Sequence, residues 1–326
     1  MKIHTQSVKN VIARPFHRLS YFVAGLPRGA GCAVMGSIGA VARAAYFLPG
    51  SHLRRTVTNF CRVTGRSDPW PIFTRMIGNV ERAALHFGRL YRYGRSELLA
   101  QTSIEPGVEA QLRRFKDSKQ GVIILVPHCA GAVLSSARLH TVSPTVLLVR
   151  EPRDAGRCKL MLEYLSKLGP EFILVRSTPP AMVVRNIMRA LKEGKVVVGT
   201  TDFLVKDDND DAIQTQIFGQ RVHNPGWPAR LSARLKVPIV PGYIHMEGSK
   251  ITLLADEGYV EENVQQGTQR WVSSFEKYFR QYPSDWLFML DKNWARVLRA
   301  AAASPKEAPV KEYQDPFTSG RSASPS

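Results

Sequence analysis

From Gly121 to Ile244 the chain alternates short, wholly apolar runs with amphipathic stretches, and no other feature constrains its fold as much. The runs are Val122 to Val126, Thr145 to Val149, Phe172 to Val175, Val196 to Thr200 and Pro238 to Ile244. A strand that is apolar at every position, not at every second one, is covered on both faces. That is the situation in a parallel sheet whose crossover connections place helices above and below it. The segments between the runs supply such helices: Leu160, Met161, Tyr164, Leu165 and Leu168 recur at helical spacing, as do Val183, Val184, Ile187, Met188 and Leu191. The expected fold class is therefore α/β, with a mostly parallel central sheet flanked by helices.

Around this block the periodicity predicts a helix from Pro71 to Arg92, a strand from Lys250 to Leu254, a helix from about Val264 to Tyr282 and a last helix from about Lys292 to Ala302. Trp271, Phe275, Tyr278, Phe279 and Tyr282 lie along one face of the third of these, and an aromatic stripe of that kind is read as core. Ser304 to Ser326, rich in Pro, Ser and charge, reads as a disordered tail. A chain of 326 residues can bury one large core. The expected division is a basic, apolar N-terminal region (1–66), an α/β domain (67–303) and the tail (304–326).

The chain carries 45 Lys+Arg against 27 Asp+Glu, a formal +18, which points to a polyanionic partner. Lys2, Lys9, Arg14, Arg18, Arg28, Arg43, Arg54, Arg55, Arg62 and Arg66 all precede the first acidic residue, Asp68, so the positive field is concentrated at one end. Acidic lipid headgroups or an acidic carrier protein fit that distribution; nucleic acid does not, since no recognition motif accompanies the charge. Cys32, Cys61, Cys129 and Cys158 show neither zinc nor disulfide spacing, which suits a reducing, cytoplasmic compartment.

No secretory signal with a clear cleavage site is read at the N-terminus. The charge-free run Gly29 to Ala42 would span only ~21 Å as a helix, against a hydrocarbon core of roughly 30 Å. The segment from Pro15 to Pro49 is accordingly read as interfacial or re-entrant, its arginines reaching phosphate headgroups. A hydrophobic hairpin packed on the domain and an organellar transit peptide are the other readings.

His128 carries the most chemical information. It follows the apolar strand Val122 to Val126 directly and precedes a small-residue helix start, at the carboxyl end of a strand where open α/β sheets collect their ligands. An imidazole there can accept a proton at neutral pH if a partner fixes its tautomer. Asp202, at the end of another core strand, is the candidate partner; the alternative is that it caps the following turn, next to Asp207, Asp208, Asp210 and Asp211. That acidic run lacks EF-hand spacing, so no metal site is expected. Cys129 is set aside as a nucleophile because adjacent residues leaving a strand point apart. Arg150 and Arg176 each follow a core strand and, with Arg221 and the backbone around Gly131, are candidates for binding phosphate or supporting an oxyanion.

The motifs around these residues resemble the bacterial lipid A biosynthesis acyltransferases of the lysophospholipid acyltransferase superfamily. The resemblance runs in frame through Val-Pro-His128, Leu-Val-Arg150-Glu-Pro, Arg176, the strand ending at Asp202, Ile217-Phe218-Gly219, Pro228 to Leu231 with Val237 to Pro241, and Tyr282-Pro-Ser-Asp-Trp-Leu-Phe288. It implies a glycerolipid acyltransferase-like sheet with N-terminal membrane-associated helices, and a peripheral or monotopic place on the cytoplasmic face of the bacterial inner membrane. The implied reaction moves an acyl chain from acyl carrier protein or acyl-CoA onto a lipid or glycolipid hydroxyl. His128 would be the base, and no cofactor is expected because the thioester supplies the driving force. The sequence departs from the family at Val133, where the H-x-x-x-x-D/E motif has its acid. Two functions follow: an O-acyltransferase in which Asp202 substitutes for that acid, or a non-catalytic acyl-lipid binder or scaffold of the same fold.

Overall fold

The structure, a computed structural model, describes residues 22–304 apart from residue 24; the start of the basic N-terminal region and the expected tail from 305 onward lie outside them. From Arg28 onward the helices are α1 (Arg28–Tyr46), α2 (His52–Thr64), α3 (Pro69–Tyr93) and α4 (Arg95–Gln101). The alternating block follows as β1 (Thr102–Ile104), α5 (Pro106–Asp117), β2 (Val122–Val126), α6 (Ala132–Val142), β3 (Thr145–Val149), α7 (Ala155–Leu168), β4 (Glu171–Leu174), α8 (Pro180–Lys192) and β5 (Val196–Thr200). A hairpin of β6 (Ala212–Ile217) and β7 (Gln220–Pro225) precedes α9 (Trp227–Leu235), β8 (Ile239–Glu247), β9 (Lys250–Ala255) and α10 (Val264–Gln281). Two 3-10 turns, Pro283–Asp285 and Leu287–Leu290, lead to α11 (Lys292–Ala303).

Seven strands form the main sheet in the order β1-β9-β8-β2-β5-β3-β4. Every neighbouring pair is parallel except β8 and β9, which form an antiparallel hairpin. The central strand β2 is buried at all five positions, as its unbroken apolar sequence requires. The apolar runs expected from the sequence are all strands, and the aromatic stripe of α10 is core: Trp271, Phe275, Tyr278 and Phe279 are buried.

Helices α2 and α5, strand β1 and the β6–β7 hairpin go beyond the sequence-based expectation. Strand β1 is three residues long, too short to show a period. The hairpin turns on Phe218 and Gly219, both at positive φ (52° and 72°), the paired left-handed conformation of a two-residue hairpin turn. A bulky residue is strained there. Burial compensates: the Phe218 ring sits 6.0 Å from that of Phe60 and 6.3 Å from that of Trp286, and its amide donates to Glu276.

The core runs across the boundary expected at 66, because Val57, Phe60 and Cys61 of α2 belong to the same buried cluster as the sheet. Helix α2 packs against α11 and the second 3-10 turn, so the start and the end of the described chain meet over the carboxyl edge of the sheet. Helix α1 lies on α3, tied by Arg43 Nη1 donating to Glu81 Oε1 at 2.7 Å. Among the described residues no helix is long and apolar enough to cross a membrane.

Helix α3 is pinned to the β8–β9 turn by His86, whose Nε2 donates to the Ser249 carbonyl at 2.9 Å. Burial lowers the pKa of this ring from its ordinary value. The unfolded chain therefore takes up a proton as the pH falls through about 6.5 while the folded ring stays neutral to lower pH, and stability is lost over that interval. A His86→Gln variant is expected to lose less stability than the wild type between about pH 7 and pH 5; urea denaturation midpoints that fall in parallel would contradict this.

Candidate active site

Val126 of β2 and Thr200 of β5 are partners in the parallel ladder. His128 and Asp202 each stand two residues beyond these partners, so both leave the sheet at the same level from adjacent strands. His128 Nδ1 lies 2.5 Å from Asp202 Oδ1, and the His128 backbone N–H donates to Oδ2 at 3.0 Å. The position expected to cap a turn or to orient the histidine thus does the second.

Two tryptophans complete the surroundings of Asp202. Trp286 Nε1 donates to Asp202 Oδ2 at 3.0 Å, and Trp294 Nε1 donates to the Asp202 carbonyl at 2.5 Å. The Asp202 side chain is completely buried, whereas the His128 side chain is 34% exposed. A carboxylate accepts only, so the shared proton sits on Nδ1 and the lone pair of Nε2 is directed outward. That is the tautomer a general base requires.

The ring is fixed from a second direction. Phe288 stacks on His128 with centroids 3.6 Å apart and planes 10° from parallel. The Leu287 amide donates to the His128 carbonyl at 2.9 Å, and Cys129 forms an isolated antiparallel bridge with Trp286. The segment from Trp286 to Phe288 therefore runs alongside the end of β2 like a short added strand. Phe203, next to Asp202 in sequence, and Val133, five residues beyond His128, are exposed at 37% and 42%.

The other candidates are dispersed. Arg150 is exposed and forms no hydrogen bond or ion pair among the described residues, which leaves its guanidinium free for an anion. Arg176 has a structural duty: its Nη1 donates to the Glu151 carbonyl, while its amide and that of Ser177 donate to the Glu151 carboxylate, so that the ends of β3 and β4 are joined. Burial pushes the Glu151 carboxyl up, but these bonds hold it below the ordinary carboxylate value. Gly131 caps α6, and its lack of a side chain is demanded by packing, since a Cβ there would meet Ile251 Cγ2 at 2.8 Å. Arg221 is exposed on β7, in the separate two-stranded sheet.

Cys129 is fully buried, and burial pushes its thiol well above its ordinary pKa, so it stays protonated beside Tyr243. The acidic run after Asp202 is engaged in part by Arg230, which donates to Asp211 Oδ1 at 3.4 Å and to the Asp210 carbonyl at 3.2 Å. No cluster of potential metal ligands occurs among the described residues. Two surface hollows of about 530 and 490 Å³ lie along α8 and at the amino edge of the sheet, not at His128.

Sequence reasoning missed the roles of Trp286, Phe288 and Trp294. The first two sit in the Tyr-Pro-Ser-Asp-Trp-Leu-Phe motif, whose order was visible but whose contacts were not. Trp294 gave no signal beyond its place on an amphipathic helix.

Because Asp202 satisfies buried donors from His128 and Trp286, an Asp202→Ala variant strands them and is expected to lose about 3 kcal/mol. Thermal unfolding monitored by circular dichroism should show a midpoint lower by roughly 5 °C or more. An unchanged midpoint would mean that the carboxylate is not the hub these contacts describe.

Compared directly with curated proteins, the sequence finds no match. It does match the family described as bacterial lipid A biosynthesis acyltransferase over residues 20–296, a span that contains His128, Asp202, Trp286, Phe288 and Trp294. This chain belongs to the bacterial lipid A biosynthesis acyltransferase family.

Proposed function

We propose that the protein is an O-acyltransferase that moves a fatty acyl chain from a thioester donor, acyl carrier protein or acyl-CoA, to the hydroxyl of a lipid or glycolipid. The contact between His128 and buried Asp202 carries this reading, because it supplies the oriented base whose usual acidic partner is missing at Val133. Nε2 of His128 takes the proton of the acceptor hydroxyl as its oxygen attacks the thioester carbonyl. The tetrahedral intermediate collapses, the C–S bond breaks, and the leaving thiolate takes the proton back from the imidazolium. Asp202 holds the ring in register and stabilises its charged form.

Arg150, and backbone amides near Gly131, are the groups proposed to meet the donor's phosphates or the oxyanion. Phe288, stacked on His128, and the exposed Phe203 next to Asp202 in sequence offer apolar surface that suits an acyl chain. A carboxylate within hydrogen-bond reach of His128 favours turnover over the binder or scaffold reading.

The site of action is proposed to be the cytoplasmic face of a bacterial inner membrane. Phe22, Val41, Phe47 and Leu48 are exposed at 64%, 72%, 60% and 60%, and Arg54 and Arg55 of α2 are exposed as well. Apolar side chains flanked by cations are what an anionic bilayer surface accepts.

Purified protein incubated with lysophospholipid or a lipid A precursor and radiolabelled acyl donors should form acylated product. His128→Ala and Asp202→Asn should each lower kcat by about 10²–10⁴-fold. Equal product from all three proteins would reject His128 and Asp202 as the machinery, and no product from the wild type would return the chain to the binder reading.

A further inference from the structure

A second histidine–carboxylate pair stands at the same edge of the sheet. His245 lies near the end of β8, past the region paired with β2. Its Nδ1 donates to Asp285 Oδ2 at 2.8 Å. Asp285 is wholly buried, and its other oxygen accepts from Asn79 Nδ2 at 2.6 Å and from the Met246 amide at 3.2 Å. Behind it, Arg82 Nη2 donates to Asn79 Oδ1 at 2.6 Å. The His245 ring rests on Tyr282 with centroids 4.2 Å apart, much as His128 rests on Phe288.

This pair grips one short piece of chain. Tyr243 Oη donates to the Tyr282 carbonyl at 2.7 Å and Asn79 Nδ2 approaches the Ser284 carbonyl at 3.3 Å, so β8 and α3 hold residues 282 to 285 between them. The next residue is Trp286, which donates to Asp202, and two further on is Phe288, which stacks on His128. Only one peptide bond separates the anchored carboxylate from the indole that orients the catalytic one.

We infer that His245 and Asp285 are positioning residues for the proposed acyl transfer: they fix the Trp286–Phe288 segment, and through it the Asp202 carboxylate and the His128 ring. The inference rests on the proposed reaction only for its kinetic consequence. Without the His245 donor, Asp285 keeps a buried oxygen unmatched, and the cheapest relief is a shift of the 3-10 turn that carries it. A misplacement of about 1 Å of a reacting group costs on the order of 10²-fold, so a smaller shift passed from Trp286 to His128 is felt in the rate. An ordinary core histidine would affect stability alone.

The test compares His245→Ala with His245→Asn, whose amide restores a donor near the Nδ1 position, and with Lys250→Ala on exposed β9 surface as a control. His245→Ala is expected to lower kcat about tenfold with KM within about twofold, and His245→Asn to recover at least about a third of wild-type kcat. In 1H–15N spectra of the full chain, the Trp286 indole resonance should move in His245→Ala and stay near its wild-type position in His245→Asn and Lys250→Ala. A stationary Trp286 resonance in His245→Ala overturns the inference, as does an Asn variant as impaired as the Ala variant or a change confined to KM. If the wild type transfers no acyl group, the proposed function fails by itself, and the indole resonance alone decides whether His245 positions Trp286.

Discussion

A carboxylate buried without water must find hydrogen-bond donors within the protein, and the carboxyl edge of this sheet is organised around that requirement at Asp202. Its donors come from distant parts of the chain: the backbone and ring of His128 at the end of β2, and the indole of Trp286 beyond α10. A further indole, that of Trp294 on α11, closes on the Asp202 backbone. Each donor also has a packing role. Trp286 stacks on Phe279 with centroids 3.8 Å apart and meets Trp294 edge-on at 5.0 Å, so the aromatic core of α10 and α11 stands directly behind the site. The polar pair is thereby supported by rigid neighbours that cannot shift independently of the core.

Much of this was legible in the residues. The two central apolar runs are both five residues long, and each is followed, two residues after its end, by one member of the pair, His128 or Asp202. In-register parallel pairing of the runs is all that is needed to bring the two together. What the sequence did not disclose is that β5, the fourth of the apolar runs, is the one inserted beside β2; strand order is set by crossover geometry that a single sequence does not display. The contributions of Trp286 and Trp294 were hidden for a related reason, because an aromatic residue reads as core until its N–H is seen to have a partner. Arg176 carries a contact that its place in the sequence did not show. Its position after a strand suggested a ligand contact, and its guanidinium also donates to the Glu151 carbonyl.

Where the family motif has its acid this chain has Val133, and His128 meets a carboxylate at Asp202. With Asp202 occupying Nδ1 of His128, a carboxylate five residues along would have no ring nitrogen left on the sheet side to orient. The Val133 side chain that stands there is 42% exposed. The N-terminal helices also leave apolar surface uncovered, since α1 packs on α3 while Val41 remains exposed.

The pairing of α2 with α11 over the site has a consequence for how the protein comes into being. A ribosome delivers His128 long before Trp294, and domains assemble as their elements emerge. Until α11 is released, the end of β5 lacks the indole that closes on Asp202 and the helix that covers it. The nascent chain can lay down its parallel strands in order, but the His128 imidazole gains its finished surroundings only once the Trp286–Phe288 segment and α11 have emerged, so a product that stopped before them would hold His128 beside Asp202 without the rings that enclose the pair.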